Sequence, residues 1–302
     1  MLKHSAALYL WTVLIWGTTW FAIRFQLGMV EPEVSLVYRF ALASVILFVY
    51  CRLRRYPLRL DRDGLIFVVL QAIFLFSTNY LLFYWATGLL TSGLIAVVFS
   101  TVVLMNVLNA ALFLKQAVNK RVVAGAVLGL AGIMLGFYPE FFKVNHAVVA
   151  KGLALSLLAT YVASLGNIIS ARNQQRGLSV VVTNAWGMMV GALIMALYAV
   201  FKGAHFVYDW QPAYTASLFY LALFGSVLAF GSYLTLIGRI GADKAAYAAV
   251  LFPIVALTLS TLYEAYVWTI PALVGAVLVV LGNILAVTRS KSRGLGAARA
   301  VT

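Results

Sequence analysis

Residues 64–114, GLIFVVLQAIFLFSTNYLLFYWATGLLTSGLIAVVFSTVVLMNVLNAALFL, run for 51 positions without an Asp, Glu, Lys or Arg. A helix rises about 1.5 Å per residue and a bilayer core is about 30 Å thick, so about 20 apolar residues cross it once. The run is too long for one crossing. Thr87-Gly88 and Thr91-Ser92-Gly93 interrupt it near its middle and divide it into two helices. Uncharged stretches recur at 4–23, 122–139, 152–171, 177–201, 210–238, 245–263 and 265–288, and one at 34–51 is broken only by Arg39. The expected fold is all-α: an integral membrane protein of ten transmembrane helices joined by short loops.

Composition agrees with this reading. Of 302 residues, 64% are hydrophobic and 10% charged, against about 45–50% and about 25% in soluble domains. A soluble enzyme and a disordered chain are excluded. The formal charge of +14 would suggest a polyanionic partner in a soluble protein. Its distribution has another cause, because Lys and Arg gather in cytoplasmic loops. With ten spans the two tails and every second loop share a side. That side carries 17 Lys and Arg, among them Arg52, Arg54, Arg55, Arg172, Arg176 and Arg239, against Lys143, Lys151 and Lys202 on the other. Both termini are therefore expected in the cytoplasm, and no nucleic-acid partner is implied. The first stretch holds Trp11, Trp16 and Trp20 and lacks a small-residue cleavage site, so it is expected to be a retained helix. Cys51 is the single cysteine; it forms no intrachain disulfide and no cysteine metal site. No metal or cofactor motif is expected.

Gly125-Ala126-Val127-Leu128 followed by Gly132 recurs as Gly275-Ala276-Val277-Leu278 followed by Gly282, 150 positions later. Gln116-Ala117 before the first copy answers Glu264-Ala265 before the second. The chain thus reads as two five-helix halves, 1–146 and 147–302. An odd number of spans per half inverts the second half relative to the first. Inverted repeats place a substrate site near the midplane between the halves. The Gly-x-x-x-Gly spacings at Gly125–Gly129 and Gly132–Gly136 permit close helix packing, so spans five and ten are expected to form a scaffold, with a subunit interface as the alternative.

Trp16-Gly17-Thr18-Thr19-Trp20-Phe21-Ala22-Ile23-Arg24 resembles the first-helix signature of the drug/metabolite transporter superfamily, in its EamA-type ten-helix branch. Tyr38-Arg39-Phe40-Ala41-Leu42-Ala43 is similar to the second-helix pattern of that family. Gly225-Ser226-Val227-Leu228-Ala229-Phe230, through Arg239-Ile240-Gly241-Ala242 to Leu251-Phe252-Pro253-Ile254, resembles its helices eight and nine. Two departures stand out. The helix-four proline is missing around Val102–Met105, although Pro253 is kept. Lys115-Gln116 replaces a common Gly-Glu, while Glu264 survives in the second half. The resemblance implies export of small metabolites, often amino acids, by alternating access across a plasma (bacterial inner) membrane. Its implied partners are a small solute and the bilayer, with no oligomer required.

Polar side chains in hydrocarbon are costly unless they face protein or water, so polar stripes locate the interior. Trp16, Thr19, Trp20 and Ile23 share one face of span one. Span three offers Ser77, Tyr80 and Tyr84, span four Asn106 and Asn109, and span six Thr160, Tyr161, Ser164 and Asn167. Ser226, Tyr233 and Tyr247 complete the candidate substrate lining. Helix–helix hydrogen bonding is the alternative role for Asn106, Ser164 and Asn167. Arg24 and Arg39 are expected to snorkel to the outer headgroups, or to pair with Glu31, Glu33 or Glu264 in an outer gate. Pro253 removes a backbone donor within span nine and is a candidate hinge.

The acidic residues Glu31, Glu33, Asp61, Asp63, Glu140, Asp209, Asp243 and Glu264 all fall in loops or at span ends, as do His4, His146 and His205. A proton-coupled exporter of cations needs an embedded carboxylate, and phosphorylated solutes need deep basic groups; neither is expected. A neutral, aromatic, amide-rich pocket suits neutral or aromatic amino acids, with a multidrug exporter of lipophilic compounds as the alternative. An intramembrane enzyme lacks its motifs, such as His-Glu-x-x-His, and a channel lacks a repeated filter. The topology is tested by single cysteines at Asn145 and Gln174 in a Cys51→Ala background. The first should react with an impermeant thiol reagent added outside, the second only after permeabilisation; reaction of both from outside contradicts ten spans.

Overall fold

A computed structural model of the chain describes residues 2–114, 120–143, 146–240, 245 and 247–287. Lys115, Gln116, Ala117, Asn145, Gly241, Ala242, Asp243, Lys244 and the arginines beyond residue 287 lie outside the described residues. So do the side chains of His4, Glu140, Lys143 and Tyr247. Every regular element among the described residues is helical, as a lipid environment demands of a backbone that must satisfy its own hydrogen bonds.

The helices are α1 (Leu2–Ile23), α2 (Pro32–Leu53), α3 (Arg62–Ile73), α4 (Asn79–Thr87), α5 (Ser92–Ser100), α6 (Val102–Leu114), α7 (Lys120–Lys143), α8 (His146–Gln175), α9 (Val180–Lys202), α10 (Pro212–Tyr220), α11 (Ala229–Ile240), α12 (Tyr247–Tyr263) and α13 (Ile270–Val287). Three pairs, α3–α4, α5–α6 and α10–α11, are collinear, so the described residues form ten rods. Six rods are long and apolar enough to cross a membrane: α2, α3–α4, α5–α6, α8, α9 and α10–α11. Shorter apolar stretches lie at Val123–Tyr138, Leu251–Tyr263 and Ile270–Leu285, in α7, α12 and α13. The long uncharged run breaks between Thr87 and Ser92, at the glycine and hydroxyl residues noted above.

Two interruptions were not foreseen. α3 passes into α4 through a π-helical segment, Phe74–Thr78, and α10 into α11 through another, Leu221–Leu228. Each is stabilised by a serine reaching five residues back. Ser77 Oγ donates to the Ala72 carbonyl at 2.9 Å, and Ser226 Oγ to that of Leu221 at 3.0 Å. A wide π turn shifts the face that later residues present, and such turns concentrate at functional sites.

Packing pairs elements from distant parts of the chain. α2 lies along α9, and α7 along α13. α1 packs on α12 and on the α10–α11 rod, while α8 packs on the α5–α6 and α3–α4 rods. The α7–α13 contact is backbone to backbone. A Cβ on Gly132 would stand 2.6 Å from the Gly275 carbonyl oxygen, and one on Gly275 would stand 2.5 Å from the Gly132 oxygen. Neither helix can yield locally, because the obstruction is main chain. Gly275→Ala should lower the midpoint of thermal unfolding in detergent, with an overpacking cost of about 1–3 kcal/mol. Gly231→Ala, where nothing lies within 4 Å of the added Cβ, should leave it unchanged or raise it. Equal behaviour of the two variants would contradict the close contact.

Candidate functional site

Trp16, Thr19, Trp20 and Ile23, one stripe of α1, form a wall of a central cavity. The first π segment and α4 add Leu75, Asn79, Tyr80 and Phe83; α5–α6 adds Phe99 and Val102; α8 adds Ala163 and Asn167. α11 and α12 close it with Phe230, Tyr233, Ala249 and Phe252, and α2 contributes Arg39. The cavity measures about 40 Å³ to the centre of a water-sized sphere.

The rings are held edge to face. Trp16 lies 5.0 Å from Phe230 and 5.6 Å from Phe252, at interplanar angles of 77° and 90°. Its Nε1 donates to the Gly225 carbonyl of the second π segment at 3.1 Å. Trp20 packs on Phe83 at 4.9 Å and Phe99 at 5.1 Å. Its Nε1 makes no hydrogen bond, and neither does Asn79 Oδ1. Buried polar atoms are nearly always paired, and the Tyr233 hydroxyl in the same wall is likewise without a partner, so the wall holds spare donors and acceptors.

Arg39 corrects two expectations. It does not snorkel to the headgroups: only 1% of it is exposed. It also places a basic group deep in a cavity expected to have none. Nε donates to Ser226 Oγ at 3.0 Å and Nη1 to the Tyr84 hydroxyl at 3.4 Å, while the Tyr80 ring lies 4.6 Å from the guanidinium carbon. The ion pairs among the described residues involve Arg24, Arg172, Arg176 and Lys202, not Arg39. The sequence misled because Arg39 follows the span's start by only a few residues, whereas α2 begins at Pro32 with Glu33 and Arg39 already inside the fold.

Of the other expected lining residues, Trp16, Thr19, Trp20, Tyr80, Asn167 and Tyr233 do line the cavity. Tyr84 and Ser226 lie behind it as partners of Arg39. Ser77 is spent on the π turn. Ser164 accepts from Asn109 Nδ2 at 2.8 Å, and Asn106 accepts from Asn167 Nδ2 at 3.4 Å, which joins α6 to α8. Tyr161 departs from its expected direction: it is 40% exposed and faces away from the cavity. Pro253 sits inside α12 without ending it. Asn79, Phe83, Phe99, Phe230 and Phe252 were missed. Phenylalanine carries no polar signal in an apolar helix, and Asn79 stands beside the Tyr80 stripe, one residue off the spacing that picked it out.

Glu264 closes one end of the bundle. It pairs with Arg24 at 3.0 Å and accepts from the Ser92 backbone N–H at 3.0 Å and the Ser92 hydroxyl at 2.6 Å. Ser92 opens α5, so the carboxylate also faces the positive end of a helix dipole. At the same end Lys202 bridges Glu31 and Glu33. The Lys202 hydrogen bond holds the Glu31 carboxyl below the ordinary carboxylate range. A lowered folded value makes this clasp stabilising above the unfolded pKa, with the contribution lost as pH falls through the folded one. At the opposite end Asp63 receives Arg172 at 2.8 Å and Arg176 at 3.2 Å.

Comparison with known proteins accords with this architecture. A crystal structure superposes with a TM-score of 0.70 at 17% identity, covering 94% of this chain and 97% of that one; at that identity the fold alone is shared. The uncharacterized transporter YoaV of Bacillus subtilis is 23% identical over 89% of this chain and 91% of its own. Protein PagO of Salmonella typhimurium is 24% identical over 93% and 94%, and the uncharacterized inner membrane transporter YedA of Escherichia coli 28% over 82% and 79%. The EamA-like transporter family matches twice, over residues 5–138 and again over 150–288. The chain belongs to the EamA-like transporter family, and is an integral membrane transporter rather than an enzyme.

Proposed function

We propose that this protein is a secondary carrier that exports small metabolites, neutral or aromatic amino acids first among them, by alternating access through the aromatic cavity. The observation that carries this reading is the cavity itself. It is ringed by Trp16, Trp20, Tyr80 and Tyr233, and drawn from both halves of the chain. In this reading 1–146 and 147–302 are inverted five-helix repeats, with ten spans, both termini cytoplasmic and an inner-membrane location. Three observations support the repeat. The family matches each half separately. The two π serines, Ser77 and Ser226, stand 149 positions apart. The partners of α1, the α12 and α10–α11 rods, correspond to those of α8, the α5–α6 and α3–α4 rods. Pro253 and the Glu264 cluster are assigned to hinge and outer gate, with Arg39 at the gate's inner side. The name of YedA supports the inner-membrane location.

Export of lipophilic drugs is the second reading, favoured by the phenylalanines in the wall. Unpaired Arg39 weighs against cationic drugs.

Efflux from proteoliposomes loaded with a panel of amino acids tests the proposal. Trp16→Ala and Tyr80→Ala should weaken solute binding by about 2- to 10-fold, the worth of one stacked ring, at normal expression. Trp210→Ala, 84% exposed, should export normally. Unchanged efflux in both cavity variants at matched expression would remove the substrate path from this cavity. Efflux should also follow the solute gradient without a proton gradient, since no carboxylate lines the cavity among the described residues. Strict dependence on an imposed pH gradient would implicate a carboxylate at the periphery, Glu264 first.

A further inference from the structure

We propose that Arg39 is the anion receptor of the cavity, and that the solute it takes is a monocarboxylate with an apolar or aromatic body. This deepens the carrier reading above and rests on it. Arg39 lines the cavity, is buried, and has no carboxylate partner among the described residues. A guanidinium offers five N–H groups. Ser226 takes the one on Nε and Tyr84 one of those on Nη1, and Tyr80 also bonds to the guanidinium, which leaves N–H groups to spare among these partners. The remaining fork matches a planar carboxylate, for which arginine is the preferred side chain. Tyr80 and Phe40 cover the guanidinium at 4.6 and 5.5 Å and hold its plane without neutralising it.

The surroundings fix the charge and body of the ligand. One buried cation balances one negative charge, and no second basic residue lines the cavity among the described residues. A phosphate dianion would leave a net charge in a medium of low dielectric. Two spare donors, Trp20 Nε1 and the Tyr233 hydroxyl, lie in the same wall. Much of the remaining surface is apolar or aromatic, with Trp16, Phe83, Phe99, Phe230 and Phe252 prominent in it, and receives an apolar body.

The test is binding of four probes to the purified full-length chain in detergent, measured by equilibrium dialysis at neutral pH. 3-Phenylpropionate carries only the carboxylate, phenylalanine both charges, phenylalaninol only the ammonium, and phenyl phosphate a dianion. The two carboxylates should bind at least about tenfold more tightly than phenylalaninol, the scale of a hydrogen bond to a charged group. In Arg39→Gln this preference should vanish, and in Arg39→Lys it should be partly kept. If Arg39→Gln does not fold, the wild-type series decides alone. Equal binding of phenylalaninol, tighter binding of phenyl phosphate than of 3-phenylpropionate, or binding of none of the four overturns the assignment. Efflux of the same probes separates this from the carrier reading. Movement of phenylalaninol but not of the carboxylates overturns the role of Arg39 and leaves the carrier standing. Binding of the carboxylates without movement of any probe supports Arg39 and contradicts the carrier.

Discussion

A cation buried at membrane depth has to find its partners inside the protein. The cost of leaving it unpaired is at least about 2.5–3.5 kcal/mol. Arg39 finds a serine hydroxyl from the second half of the chain and a tyrosine hydroxyl and ring from the first. That arrangement needs the second π segment, which turns Ser226 toward α2. It also needs the first, after which Tyr80 and Tyr84 both reach the guanidinium. The Trp16 indole is bound to the same π segment through Gly225. The helices around the cavity are thereby tied through one polar centre, while the rest of the wall is aromatic.

Away from that centre two contacts of different stiffness hold the bundle. The α7–α13 pair meets main chain to main chain through Gly132 and Gly275, and has little freedom to slide. The Glu264 cluster consists of an ion pair and two hydrogen bonds joining the ends of α1, α5 and α12. Such contacts can exchange for water one at a time. A scaffold that cannot yield beside an end that can is the mechanical asymmetry an alternating carrier requires. In the carrier proposed above, the cavity between them would open at the α1, α5 and α12 ends rather than at α7 and α13.

Much of this was legible in the sequence. Uncharged length located the helices, and the break at Gly88 through Thr91 fell where glycine and hydroxyl residues announced it. The α1 stripe was read correctly because α1 is regular, so a spacing of three and four residues does mark one face. The same rule failed around the first π turn, where Ser77 is bonded to its own backbone and Asn79, one residue before Tyr80, joins the wall. Tyr161 failed because polarity alone does not give direction on a helix whose hydroxyl can also reach an interface. Arg39 was misplaced because a charge near a span's end reads as snorkelling. Its burial depends on Tyr80, Tyr84 and Ser226, which lie 41 to 187 positions away.

The central claim is that solute passes between the two halves through the cavity bounded by α1, α8 and Arg39. A cysteine at Ala163, which lines that cavity, tests it most directly in a Cys51→Ala background that still exports. A small charged thiol reagent should modify it from either side of the membrane in turn, and an exported solute should slow the reaction from both. Modification from neither side while export continues, or no protection by solute, would contradict the claim and move the pathway elsewhere.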